Sequence, residues 1–233
     1  MAPRARRSQE ATTAADILEA FTSLVAEHGV TNITLGDIGA QLGLSRADIL
    51  QQYPSKQRLM AAQQSAFMQQ RLREQQQIEA ALERPDERFA ALIFASIRTY
   101  LVDDVAARAV HRLFPWVLES DDMAPVRRLR QRYVGVFRTL LVAGIQDGTF
   151  FPADPNVVMM NSVGALLWMW TWFRPTSEDE TMSMGSQVAR LQLPGILVDR
   201  DSVEPLSAPA GAPARAATAA VGRTSFAAAD AAP

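Results

Sequence analysis

The residues best suited to chemistry lie on the polar face of one short predicted helix, where Arg46, Gln51 and Gln52 occur together. Arginine forms paired hydrogen bonds with guanine or binds a phosphate, and glutamine bonds base edges or phosphates. The competing interpretation of Arg46 is a merely solvated arginine. Of the two adjacent glutamines, one is expected to face DNA and the other solvent. The side chains therefore predict recognition through hydrogen bonds rather than catalysis.

Two short helices joined by a tight turn must position these side chains. Thr34 and Ser45 are good N-caps, and each has an aspartate three residues later in place of the usual glutamate of a capping box. Gly43 ends the first helix, because glycine takes the left-handed conformation that a helix end often needs. This order predicts a helix-turn-helix over residues 34–53, whose second helix would enter a major groove.

The motif stands within a longer ordered pattern over residues 11–71. Its parts are Ile17-Leu18-Glu19-Ala20, Glu27-His28-Gly29, the helix-turn-helix and Tyr53-Pro54-Ser55-Lys56. The pattern resembles the N-terminal domain of the tetracycline-repressor (TetR) family. The resemblance implies an all-α protein with an N-terminal three-helix DNA-binding domain at 11–71 and a C-terminal helical ligand-binding and dimerisation domain at 72–194. It also implies a homodimer that binds a double-stranded operator as a repressor and is released by a small apolar or amphipathic effector.

We expect the DNA contacts in and around the second short helix. Thr34 offers a hydroxyl and a helix N-terminus to a phosphate, and Lys56, the only lysine in the chain, is expected to bind another. Tyr53 is expected in the core with its hydroxyl facing outward. The full set of candidate DNA-binding residues is Thr34, Ser45, Arg46, Ala47, Gln51, Gln52, Tyr53 and Lys56.

The motif departs from the family pattern at three positions, which leaves the operator sequence open. Family members commonly carry glycine, tyrosine and histidine where this chain has Ala47, Leu50 and Gln51. Asp48 would repel phosphate unless it accepts from a cytosine amino group. Asp48 and Leu50 favour an alternative, a helical interaction scaffold or ligand carrier that has lost operator binding.

The spacing of apolar residues predicts helices before the motif and throughout the chain after it. A first amphipathic helix is expected over 13–28, and a long one over 56–83 links the two domains. Later helices are expected over 85–101, 104–113, 125–146, 155–173 and 177–193. Residues 1–10 are expected to form a flexible basic arm, and the Ala/Pro-rich residues 195–233 a disordered tail.

Aromatic and polar residues of the second domain are candidates for an effector pocket. They are Phe94, Tyr100, His111, Trp116, Tyr133, Phe137 and Trp170. Tryptophans at helical spacing also suit a core or an interface. Four arginines at 127, 128, 130 and 132 could mark an anion site for an acyl-CoA-like effector, but a solvated face balanced by Asp121 and Asp122 is the favoured interpretation.

The predicted helix over 155–173 is apolar on almost every side, which predicts an interface. Gly164 would let two helices approach closely, and Trp168 and Trp172 would complete the contact. We therefore expect the dimer to form through these three residues.

Composition excludes several other classes of protein. The chain has 233 residues, a formal net charge of -2, no cysteine and two histidines, so neither a disulfide framework nor a zinc site is expected. It holds no paired carboxylates, activated nucleophile or phosphate-binding loop, so we expect neither an enzyme nor a cofactor. No apolar run approaches the ~18 residues of a membrane span, and no secretory signal is present, so a cytoplasmic protein is expected.

Overall fold

The computed structural model describes residues 2–119 and 121–226, with side chains described from Ala14 onward except at 118 and 119. This part of the chain is helical and contains no β-strand, which confirms the predicted all-α class. The helices are α1 (Ala2–His28), α2 (Leu35–Leu42), α3 (Arg46–Gln52), α4 (Lys56–Ala81), α5 (Pro85–Val102), α6 (Asp104–Glu119), α7 (Ala124–Gln146), α8 (Pro155–Trp168), α9 (Glu178–Gln192), α10 (Val203–Ser207) and α11 (Ala212–Ala220).

The described residues form two compact units. The first contains residues up to 70 together with 105–130 and 224–226, and the second contains 71–104 and 131–223. The helix-turn-helix lies in the first unit. That unit also takes in α6 and the start of α7, a stretch that the sequence pattern assigns to the second domain.

The core of the first unit holds α2 and α3 in place. Ile17 and Phe21 of α1, Ile38 of α2, Ile49 of α3 and Leu59 of α4 are all buried in one cluster. The helical spacing of these residues turns one apolar face of each helix toward the others. The angle between α2 and α3 therefore depends on packing with α1 and α4.

The helix α6 is longer than predicted, because it continues through Pro115 to Glu119 instead of ending near Leu113. Proline in a helix interior removes one hydrogen bond and costs about 3 kcal/mol. Leu113 and Val117, on either side of the proline, are fully buried in the first unit's core. Their burial offsets this cost, which local sequence alone does not reveal.

The second unit is built around α5. Phe89 of α5 lies edge-on to Phe137 of α7 and to Phe150, with ring centroids 6.1 and 6.0 Å apart. Gly144 of α7 is required beneath the Phe150 ring, because a Cβ atom there would overlap the ring. These contacts bring α7 and the turn that follows it onto α5.

The prediction of a disordered tail over 195–233 is wrong for the part that forms α10 and α11. Leu206, Ala214 and Ala217 are buried, and α11 packs along α5. Alanine has the highest helix propensity and allows close helix packing, so this segment needs few large apolar residues to fold. Residues 227–233 lie outside the described residues.

At the other end of the chain, α1 begins at Ala2, so residues 2–10 of the expected flexible arm have helical backbone. Met1 lies outside the described residues. None of the helices described is long and apolar enough to cross a membrane. The described residues also contain no group of three or more acidic or histidine side chains suited to a metal ion.

Candidate nucleic-acid interface and effector cavity

Both helices of the motif begin with a complete capping box. The Thr34 and Ser45 side chains accept from the backbone N–H groups of Asp37 and Asp48, and each aspartate accepts from the N-cap residue's backbone N–H. These hydrogen bonds lower the pKa of both carboxyls. The Thr34 hydroxyl donates to Asp37, 2.8 Å away. The hydroxyl that the sequence assigns to a phosphate thus stabilises the start of α2.

The turn between α2 and α3 depends on two glycines. Gly43 has φ 70°, a left-handed conformation that glycine adopts without strain, and its N–H donates to the Gly39 carbonyl. Gly39 lies against the Leu44 carbonyl so closely that a Cβ atom would overlap it. The Leu44 N–H donates to the same Gly39 carbonyl at 2.9 Å. The sequence pattern indicates the role of Gly43 but not that of Gly39, which depends on this close approach.

The helix α3 buries one side and presents the other to solvent. Ile49 is fully buried, whereas Arg46, Ala47 and Gln51 are exposed and Gln52 is half-buried. The exposed face thus combines a guanidinium group, an amide and a small residue that allows close approach. These are suitable groups for contacting base edges and phosphates.

Two of the candidate DNA-binding residues have structural contacts. Tyr53 is buried, and its hydroxyl donates to the Ala14 carbonyl at 3.3 Å rather than facing outward. Lys56 donates from Nζ to the carbonyls of Val30 and Ile33, at 2.5 Å each. Burial lowers the pKa of Lys56, with Asp37 acting in the opposite direction. Lys56 therefore joins the start of α4 to the connection between α1 and α2.

A cavity of about 420 Å³ lies among α4, α5 and α7 in the second unit. Its apolar lining includes Leu72, Ile78, Leu92, Val136 and Leu140. A Cβ atom at Gly135, which also lines the cavity, would meet nothing within 4 Å. The size is typical of sites for small organic molecules, and the missing side chain at Gly135 enlarges it.

The polar groups of the cavity carry more positive than negative charge. Arg88, Arg132 and Glu79 line it, and no aromatic residue belongs to the described lining. Arg88 is held by the carbonyls of Leu82 and Glu79, at 2.7 and 3.1 Å. Arg132 is exposed. A guanidinium beside apolar walls suits an anionic group attached to an apolar body.

The helix α8 and the residues after it expose a band of large apolar side chains. Val157, Met160, Trp168 and Trp172 are 66%, 63%, 67% and 57% exposed. Gly164, between them, is also exposed, and a Cβ atom there would meet nothing within 4 Å. An apolar band of this kind commonly marks a protein contact.

Residues 82–196 match a family model described as the tetracyclin repressor-like C-terminal domain. The fold resembles that of a TetR/AcrR-family transcriptional regulator from Thermobifida fusca. The two chains share 25% sequence identity with a TM-score of 0.61, and the match covers 82% of this chain and 97% of the other. A comparison with curated proteins found no match.

Over residues 82–196 the chain belongs to the TetR family. Its fold is also similar to that of the ketosteroid regulator KstR2 of Mycobacterium tuberculosis, with 19% identity, a TM-score of 0.71 and coverage of 80% of this chain and 96% of that one. It is likewise similar to AibR solved with isovaleryl coenzyme A and operator DNA, with 22% identity, a TM-score of 0.63 and coverage of 73% and 95%.

In this TetR chain the seven candidate pocket residues do not form one site. His111 and Trp116 belong to the first unit, and the other five belong to the second. None of the seven lines the 420 Å³ cavity. Phe94 packs against Gly185, Phe137 against Phe89 and Tyr133, and the Tyr100 hydroxyl donates to the Leu166 carbonyl at 2.8 Å. Trp170 is half-buried.

The seven candidate residues lie outside the lining of this cavity, and Phe94, Tyr100 and Phe137 are buried in the core instead. The residues that open the cavity are small or aliphatic, above all Gly135 and Ala143 of α7, with polar side chains beside them. Of the four arginines proposed as an anion site, only Arg132 lines the cavity. In the sequence, Gly135 between Arg132 and Val136 is the feature that could have indicated this cavity.

Proposed function

We propose that this protein is an operator-binding transcriptional repressor that acts as a homodimer in the cytoplasm and is released by a small amphipathic anion. The exposed face of α3 carries the proposal: Arg46, Ala47 and Gln51 point away from a core that fixes the helix. Asp48, the main support for the alternative scaffold, has its carboxylate bonded to Ser45 at the helix start. This bond gives Asp48 a capping role at the start of α3, while its carboxylate keeps its negative charge because the same bonds lower its pKa.

The proposed DNA contacts are Arg46 and Gln51, with Gln52 at the edge and Ala47 against the DNA surface. Lys56 and Tyr53 position the motif, and Thr34 and Ser45 stabilise its helices. AibR was solved with operator DNA, which supports this use of the fold. The proposal assigns Arg46 to a base edge or a phosphate, and mutation distinguishes the two.

Arg46→Ala is expected to weaken operator binding by about 1–3 kcal/mol and to relax one base position if Arg46 reads a base. Fragments selected from sheared genomic DNA would supply the operator for a shift assay at several salt concentrations. Arg200→Ala, the same charge change at an exposed site in the second unit, is the matched control. Equal binding by the two variants and the wild type would contradict the proposal.

The proposed effector is an anionic amphiphile in the 420 Å³ cavity. Arg132 would bind its charged group, while Leu92, Val136 and Leu140 would contact its apolar part. A regulator from Saccharomonospora viridis was solved with choline, but a quaternary ammonium ligand is favoured by aromatic rings, which the described lining lacks. AibR with isovaleryl coenzyme A supports the anionic class, of which acyl-CoA thioesters and free carboxylates are both members.

Gly135→Met tests the cavity without disturbing packed neighbours. The new side chain would occupy the open space, and replacing a mid-helix glycine should raise stability by up to about 1 kcal/mol. We expect medium-chain carboxylates and their CoA thioesters to raise the melting temperature of the wild type but not of Gly135→Met. Gly195→Met, also in open space but outside the cavity lining, should respond as the wild type does. A full response in Gly135→Met would refute this site.

A further inference from the structure

The C-terminal segment after α9 is bound to α4 by buried charges. We call residues 203–226 the strap; it comprises α10, α11 and the extended residues 221–226. The matched family domain ends at residue 196, before the strap begins. The strap is thus an addition to the part of the chain that the family model describes.

One residue of the strap, Gly222, is held through both its backbone carbonyl and its backbone N–H by an ion pair on α4. Arg71 donates from Nη2 to the Gly222 carbonyl at 2.8 Å, and the Gly222 N–H donates to Glu74 Oε1 at 3.0 Å. Arg71 and Glu74 are themselves paired at 2.8 Å, and their side chains are only 6% and 4% exposed. A backbone group that satisfies both members of a buried ion pair is costly to remove.

Neighbouring contacts extend this attachment. Arg98 of α5 donates to the Val221 carbonyl at 3.1 Å and forms an ion pair with Glu178 of α9 at 2.7 Å. Asp103 lies 3.3 Å from Arg71, so the buried guanidinium also has a second carboxylate. Small buried residues of α11 pack along α5 beside these bonds. The backbone at 221–222 is therefore fixed by polar contacts as well as by packing.

The strap has a second anchor four residues after Gly222. Phe226 is buried in the core cluster of the first unit, a cluster that also contains Leu59 and Met60 of α4. The Gly222 attachment thus lies in the second unit, and Phe226 lies in the core of the first. A shift of α4 that separated Arg71 and Glu74 from Gly222 would remove one hydrogen bond from each of these buried charges, unless the strap moved with α4.

We propose that the strap is a conformational restraint that holds α4 in its present position and must yield before α4 can move. Leu72, Gln75, Ile78 and Glu79, in the next turns of α4, line the 420 Å³ cavity. A ligand that displaces these residues acts directly against the Gly222 attachment. The strap therefore sets how strongly α4 resists displacement by a ligand.

The test compares the full chain with a chain that ends at residue 221, which removes both anchors and leaves α4 unaltered. Hydrogen exchange of the free protein, followed by mass spectrometry, reports how often each helix opens. We expect peptides from residues 71–81 to exchange at least tenfold faster in the shortened chain. Peptides from α2 and α9 should change less than twofold. A chain that ends at 226 should behave as the full chain does.

Phe226→Ala provides the second variant, in case the shortened chain does not fold. It removes one anchor and keeps the Gly222 bonds, so exchange in α4 should rise about threefold; Ser225→Ala, at the exposed neighbouring residue, is the control. Unchanged exchange in α4 would overturn the proposal. So would an equal rise in every helix of the second unit, because the strap would then stabilise the whole unit without acting specifically on α4. Exchange is measured without DNA, so failure of operator binding would refute the proposed function and leave this result intact.

Discussion

At the scale of single residues, the structure separates side chains that face outward from side chains of the same chemical type that hold the fold. Arg46 is exposed on α3, whereas Lys56, three residues beyond that helix's Tyr53 cap, donates to two carbonyls at 2.5 Å. Positive charge and a place in or beside the motif made both residues candidates for phosphate contacts. Their different surroundings lead to different expected behaviour in salt.

Lys56→Met should weaken operator binding at every salt concentration without changing the dependence on salt. Without the two hydrogen bonds from Nζ, the connection between α1 and α2 would loosen, but every phosphate contact would remain. A shift assay from low to high salt measures the slope, which flattens by about 0.9 for each phosphate that the protein no longer neutralises. A slope flattened by that amount, with unchanged thermal stability, would show that Lys56 binds phosphate after all.

His111 should make the first unit less stable in mild acid. Burial, and then the nearby Arg130, lower the pKa of His111 to about 4 from its ordinary value of 6.5. His111 is therefore protonated below about pH 6.5 in the unfolded chain but only below about pH 4 in the folded chain. The contribution of His111 to the free energy of unfolding is therefore greatest above pH 6.5 and decreases as the pH falls from 6.5 to 4.

Denaturant unfolding across this pH range would measure the effect. His111→Gln should show a flatter decline than the wild type between pH 6.5 and 4. Parallel curves for the wild type and His111→Gln would contradict the assignment.

At the scale of elements, the motif depends on how closely two backbones approach at its turn. Gly39→Ala should place a methyl group against the Leu44 carbonyl and push α2 away from α3. We expect unfolding free energy to fall by about 1–3 kcal/mol, as at other overpacked sites, and operator binding to disappear.

Gly36→Ala is the matched control on the same helix. A Cβ atom there would lie 3.3 Å from the Thr34 hydroxyl at an exposed position, so a small adjustment accommodates it. Alanine also has the better helix propensity, which offsets part of the strain. Equal unfolding midpoints for the two variants would show that the turn tolerates a side chain at Gly39.

At the scale of the whole molecule, the apolar band on α8 is the surface best suited to a second copy of the chain. Gly164 lies among exposed Trp168, Val157 and Met160, and none of the described residues fills the space above it. A two-fold dimer would present two α3 helices to successive major grooves, about 34 Å apart. A monomer presents only one.

Gly164→Arg should give a folded, helical monomer with greatly weakened operator binding. Light scattering at micromolar concentration and circular dichroism would measure mass and fold, and Gln146→Arg, exposed at the end of α7, is the control. A wild-type chain that is monomeric yet binds its operator tightly would exclude the dimer. A dimeric Gly164→Arg protein would exclude Gly164 from the dimer interface.

The local elements of the chain could be predicted from its amino-acid order. The caps at Thr34 and Ser45, the left-handed Gly43 and the apolar spacing of α1 to α5 each act within a few residues, so a linear pattern records them. The exposed Arg46 and Gln51 follow from the same periodicity. For this reason the all-α class, the motif and the family were predictable.

Features that depend on partners distant in the chain emerged only from the folded arrangement. Lys56 reaches carbonyls 23 and 26 residues away, Arg71 reaches Gly222 across 151 residues, and the cavity arises where Gly135 leaves space beside α4 and α5. The alanines of α11 lack the size that marks a core in sequence, yet they are buried because a complementary helix is there to receive them. Burial and unfilled space are properties of an assembled fold, and a one-dimensional pattern contains neither.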